Sequence, residues 1–246
     1  DEMWNAASAL SGDGKFGFVE AWTGWWNVGP YIWSNGGDVL SPDYSTATGY
    51  VNGEAAVATI QKLADLYAAK ALTGPTMDPG AIGDTDGWAS GTYAMEVDGP
   101  WRGNALTSAG IEFGAVPLPK GTASSTSVLG GEDFMMFASS SDAEKEAAWK
   151  FIQFMVSEDA QVAMAKVGQM PVSLAALQNA DALAAMPLLP VYVEALQTAK
   201  SRPVIPQWSE IEGIVATKAS EAITGVKDAQ TAMDEAATEI NALLAG

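Results

Sequence analysis

The chain has 246 residues, nearly half of them apolar, with 12 basic against 30 acidic side chains and a net charge of −18. That length and apolar content suffice for a packed core, and the charge repels nucleic acid and anionic membrane surfaces. No histidine and no cysteine are present, which excludes disulfides, thiol nucleophiles, thiolate or imidazole metal sites and most acid–base triads. No metal, cofactor or nucleic-acid partner is expected. No apolar run of about 18 residues is long enough to span a bilayer, and the start shows no charged-then-apolar leader.

In chain order, DEMWNAASAL reads as an amphipathic helix with Met3, Trp4, Ala7 and Leu10 on one face. The next stretch, EAWTGWWNVGPYIWSNGG, sets Trp22, Trp25, Trp26 and Trp33 close together on what reads as a loop running into a helix. Residues 52–72 place Val57, Ile60, Leu63, Ala64 and Tyr67 at helical spacing behind Asn52 as the N-cap. TYAMEV (92–97) and IEFGAVPL (111–118) read as strands flanking a turn and short helix in GPWRGNAL, which favours an α/β sheet.

Residues 120–133, rich in Gly, Ser and Thr, read as a linker or hinge, followed by a strand FMMFA. Ser141 and Glu144 form a capping box opening a helix whose apolar face runs through Ala147, Ala148, Phe151, Ile152 and Met155, and Ser157 caps the next helix. From Pro171 onward the pattern is helical, broken by Pro187, Pro190, Pro203 and Pro206, and it closes with helices at 209–224 and 228–244. Trp4, Trp88 and Trp149 fall on helical apolar faces or helix starts and are assigned to the core, with Trp33 pointing inward as well.

The remaining tryptophans sit beside polar groups. Sugar rings stack their C–H faces on aromatic planes, and their hydroxyls demand carboxylates, amides and guanidinium groups at the edges. Trp22, Trp25 and Trp26 stand near Glu20 and Asn27, Trp101 adjoins Arg102 and Asn104, Glu132 and Asp133 follow a Gly-Gly turn, and Trp208 is flanked by Gln207 and Glu210. For each indole taken singly, burial in the core is the competing reading, and for Arg102 a surface salt bridge. Asp84 and Asp86 resemble a fragment of a calcium loop, but the later ligand positions are missing, and a helix N-cap explains either more simply. The 10 methionines are scattered over helical apolar positions as core filling.

The order of GWASGTYAMEVDGPWRGNAL, GIEFGAVPLPKG, LGGEDFMMFASSSDAEKEAAWKFIQFMVSEDAQVAMA and RPVIPQWSEIEGIVATKASEAITG resembles the extracellular solute-binding proteins that deliver sugars to ATP-driven importers, the maltose-binding group. The resemblance covers essentially the whole chain. It implies an α/β fold of the periplasmic-binding type, with two lobes facing each other across a cleft. This chain is then the second lobe in residues 1–130, a partial first-lobe excursion in 131–171 and a helical return in 172–246, without the opening first-lobe segment. An excursion lacking its parent sheet exposes an apolar strand and two helices. A truncated sample, or a separate chain that supplies the missing segment, accounts for this.

The resemblance also implies a site. The sugar-stacking aromatic after the first second-lobe helix falls at Trp25 or Trp26, another at Trp101 with Arg102 beside it, a carboxylate pair at Glu132 and Asp133, and a rim at Trp208 and Glu212. Its implied partners are a sugar ligand and the membrane subunits of an ABC importer. Its implied location is extracytoplasmic, in a periplasm or on a cell surface with or without a lipid anchor. The expected function is non-catalytic binding by lobe closure. The alternatives are a glycoside hydrolase with two catalytic carboxylates and a carbohydrate-binding module without closure. Glu132 and Asp133 are adjacent, so on a strand they point to opposite faces and cannot flank one bond, which counts against the hydrolase.

Overall fold

A computed structural model describes residues 1–74, 77 and 86–246, and the reading of the Asp84 and Asp86 side chains falls outside them. In chain order the elements are α1 (Glu2–Ala9), β1 (Phe18–Val19), α2 (Trp25–Ser34), α3 (Glu54–Ala68), β2 (Leu72–Thr73), α4 (Asp86–Ala89), α5 (Arg102–Ser108), β3 (Val128–Leu129), α6 (Asp142–Met155), α7 (Glu158–Lys166), α8 (Leu174–Leu177), α9 (Ala180–Ala185), α10 (Leu189–Leu196), β4 (Lys200–Ser201), α11 (Trp208–Ile223) and α12 (Ala229–Ala245). They form two compact units: residues 1–97, 116–129 and 195–246, and residues 98–115 and 130–194.

The first unit is built on α3, α11 and α12. Ala56, Ile60 and Leu63 on α3 recur every three or four residues and are fully buried, with Val57 and Tyr67 on the flanks. On α11, Ile211, Val215, Ala219 and Ala222 meet Ala232, Met233, Ala236 and Ile240 of α12, where the alanines let the two backbones approach closely. Asp228 accepts a hydrogen bond from the Thr231 amide at 2.9 Å and starts α12. Asn52 does not cap α3. Gly53 takes that position, and Asn52 instead accepts from the Gly49 amide and donates to Asp234, both at 2.7 Å, tying this turn to α12.

Strand β1 pairs in parallel with β2, Phe18 opposite Leu72, while β3 pairs in parallel with β4, Val128 opposite Lys200. The strand expected at 92–97 is reduced to two parallel bridges beside β1, Phe16 to Tyr93 and Val19 to Glu96. Residues 111–118 and 134–138 are not strands at all. Each has β-rich composition, yet a strand exists only where a neighbour accepts and donates along a ladder. The expected hinge at 120–133 does hold a strand, β3, because β4 lies alongside it.

The second unit has a small core in which Ala176, Ala182, Met186 and Leu189 close over Val162 and Ala165 of α7. That shared core assigns 172–194 to this unit. The Asn104 side chain of α5 lies 2.8 Å from where a Cβ on Gly168 would stand, so 98–115 also packs here. The expected division at 130 falls one residue from the observed one, whereas 98–115 and 172–194 group with 130–171 and not with the first unit. The capping box of α6 forms as expected, with Glu144 accepting from the Ser141 amide at 2.8 Å. Yet α6 buries none of its residues: Trp149, expected in the core, is 51% exposed, and Phe151, Phe154, Phe134, Met135 and Phe137 are exposed with it.

Candidate ligand site around the tryptophan helix

Glu20 follows β1 and is almost wholly buried. It accepts hydrogen bonds from Asn27 Nδ2 and, at 3.2 Å, from the Tyr31 hydroxyl, two side chains one turn apart on α2. Burial, then the charge of Glu20, then the hydrogen bond itself push the Tyr31 hydroxyl well above its ordinary pKa, so it stays a donor. Thr23 donates to the Ala216 carbonyl at 2.8 Å and pins the same loop to α11. The entry to α2 is thus fixed before any indole is placed.

The tryptophan doublet then divides by helical geometry, since successive side chains point about 100° apart. Trp25 is 0% exposed, with its ring lying over Gly29, where a Cβ would approach the indole to 2.7 Å. It stands edge-on to Trp33 at 5.3 Å and to Trp208 at 6.5 Å between centroids. The N–H groups of Trp25 and Trp208 are buried without a hydrogen-bond partner. Trp25 is therefore a core residue and not a stacking surface, a correction to the expectation for the doublet. Trp26 is only partly buried.

Beside Trp26 stands Arg202, its guanidinium 5.4 Å from the ring centroid, and Arg202 Nη1 lies 3.4 Å from a carboxylate oxygen of Glu212. Glu212 is on the first turns of α11, near the N-terminus of α2: a Cβ on Gly24, the N-cap, would lie 3.8 Å from its carboxylate. A second rung repeats two helical turns on. Lys200 lies 5.0 Å over Trp33, whose N–H donates to Asp38 at 2.9 Å. Of the sequence-derived residues, Trp25, Trp26, Trp208 and Glu212 thus gather where α2 meets α11. Arg202 and Lys200 were missed, although their spacing of two puts both side chains on one side of an extended segment.

The other expected residues belong to the second unit. Trp101 precedes α5 and is 43% exposed, its ring lying against Gly99, where a Cβ would come within 2.1 Å. The glycine of the G-P-W motif is thereby explained. Arg102 reaches Asp98 at 3.9 Å, the salt-bridge reading given for it above. Glu132 and Asp133 are exposed and lie on no strand. In the first unit, Trp4 packs edge-on against Phe18 and Tyr31 as expected, and the N–H of Trp88 donates to Glu96 at 3.2 Å.

A family model described as bacterial extracellular solute-binding protein matches residues 1–191. The chain belongs to that family. A binding protein of Brucella abortus is 25% identical over 224 residues, covering 87% of this chain and 51% of its own length. The maltooligosaccharide ABC transporter solute-binding lipoprotein of Streptococcus pneumoniae is 25% identical over 178 residues, 66% of this chain and 40% of the relative. Among solved structures, the cyclic α-maltosyl-1,6-maltose binding protein of Arthrobacter globiformis superposes with a TM-score of 0.79 at 25% identity, covering 99% of this chain and 63% of that one. The fold is therefore that of the periplasmic-binding proteins, and the chain spans about half the length of the curated relatives first matched.

Proposed function

We propose that this chain is the sugar-gripping part of an extracytoplasmic solute-binding protein, which takes an α-glucan oligosaccharide and delivers it to the membrane subunits of an ABC importer without breaking a bond. The observation that carries this reading is the partly open Trp26 ring bordered by the Arg202–Glu212 pair, in a member of a solute-binding family. An indole face suits the C–H face of a pyranose, and a guanidinium beside a carboxylate offers donors and acceptors to neighbouring hydroxyls. Trp208 packs edge-on against Trp25, the residue before Trp26 on α2. Within the second unit, taken by itself, we propose Trp101 and Arg102 as sugar contacts, with Glu132 and Asp133 as exposed acceptors. The choice of ligand class follows the names of the Streptococcus pneumoniae and Arthrobacter globiformis proteins.

Micromolar binding, about −8 kcal/mol, is the strength expected of such a site. Trp26→Ala lowers maltotriose affinity at least tenfold in calorimetry while leaving the melting temperature of the free protein nearly unchanged, because the ring is not core. An unchanged titration removes Trp26 from the site. Prolonged incubation of the protein with maltotriose yields no shorter sugars by chromatography; release of glucose or maltose reinstates the hydrolase. We place further first-lobe polypeptide of the same family over the apolar face of α6 and 134–137, supported by that face and by the Arthrobacter structure's greater length.

A further inference from the structure

We propose that Arg202, held in place by Glu212, is a specificity-determining residue of the Trp26 subsite and selects neutral saccharides by donating to a ring hydroxyl. The inference rests on the saccharide reading above and deepens it. Arg202 lies between two partners that orient it: the Trp26 face fixes its plane, and Glu212 engages it through Nη1. A guanidinium carries five N–H donors in a rigid fork, so one contact at 3.4 Å leaves donors for hydroxyls stacked at the same ring. Both side chains keep part of their surface, 37% for Arg202 and 25% for Glu212, so neither is sealed into a structural pair.

Charge sets the ligand class. Glu212 offsets the guanidinium locally, and the chain as a whole carries −18. An acidic sugar therefore gains little from Arg202, whereas a neutral vicinal diol meets a donor and an acceptor side by side. The Lys200 rung shows what a purely structural version looks like. There the indole is buried, its N–H is committed to Asp38, and Asp38 also pairs with the lysine. Only the Arg202 rung combines a fixed cation with a ring that retains open surface.

The test is calorimetry on the intact chain with maltotriose, its singly deoxygenated analogues and a uronate-containing trisaccharide. Arg202→Ala weakens maltotriose binding about 10- to 100-fold, the range for losing a charged hydrogen-bond donor. Arg202→Lys recovers only part of this, because an ammonium lacks the planar fork. Lys200→Ala leaves affinity within about twofold, and so controls for loosening of β4 against α2. At least one deoxygenation that weakens binding to the wild-type chain costs nothing further in Arg202→Ala, a coupling that a merely structural arginine does not produce. Glu212→Gln moves preference toward the uronate sugar by removing the offsetting charge. Wild-type affinity in Arg202→Ala, the absence of any such coupling, or a wild-type preference for the uronate overturns the proposal. Failure of the wild-type chain to bind any neutral sugar overturns the saccharide reading itself.

Discussion

The two units use apolar residues in opposite ways. In the first, large side chains of α3, α11 and α12 interlock into one continuous core that also takes in Trp25 and Phe18. In the second, the sealed residues form a small cluster around α7, and the largest apolar side chains, Trp149, Phe151, Phe154 and Phe134, lie outside it. An amphipathic pattern therefore does not by itself bury anything: it specifies a face, and burial needs a second face to meet it. The apolar stripe of α6 is as regular as that of α3, yet α3 is met by α11 and α12 while α6 is not so covered.

The largest effect that sharpens this contrast comes from the first unit. A Cβ on Gly17 would stand 1.8 Å from the Ala7 carbonyl oxygen, a backbone atom that cannot swing aside. Gly17→Ala thus forces α1 away from β1 and is expected to lower the denaturation midpoint more than any single change on α6. Truncation of a fully buried core side chain comes next. Ile240→Ala costs about 2–5 kcal/mol by chemical denaturation, whereas Phe151→Ala costs about 0.5 kcal/mol or less. Equal losses at the two sites would show that α6 is covered in solution.

A smaller effect concerns association. Replacing Phe151 and Phe154 together by Ser removes exposed apolar surface and is expected to raise the concentration at which the chain begins to associate in sedimentation, with the melting temperature held. The smallest effect is shared by both units. The Glu144 carboxyl is held below its ordinary pKa by hydrogen bonds from the Ser141 side chain and amide, and Asp228 by bonds from Thr231. Hydrogen bonds from Ser41 and Ser45 bring Asp43 down to about 2. Because these pKa values are depressed on folding, their stabilisation is complete above the unfolded values, near 4.5 for Glu and 3.8 for Asp, and is lost as pH falls through the lowered folded values, that of Asp43 lying at about 2. Melting temperature measured against pH should decline through that window, and Glu144→Gln with Asp228→Asn should flatten the decline.

The helices were the most legible part. Capping residues and apolar spacing placed α6 and α7, and the closing pair came within a residue or so of the observed α11 and α12. Strands were not legible, because TYAMEV, IEFGAVPL and FMMFA carry the composition of a strand without the partner that makes one. At the candidate site, clustering of Trp with acids pointed to the junction of α2 and α11, but it could not separate Trp25 from Trp26. That separation depends on which side of α2 faces Trp208 of α11. Arg202 was passed over because nothing in RPVIPQW tells that its guanidinium lies on an indole about 175 residues earlier.

Local chemistry written in the sequence determined the capped helices, the absence of histidine and cysteine chemistry, the acidic surface and the family. Those properties depend on residues near one another in the chain, or on composition alone. Tertiary packing decided which tryptophan is core and which is surface, where the units divide, and that Arg202 and Glu212 meet at Trp26. Each of these is a contact between distant segments, and its energy exists only once both segments have found their places.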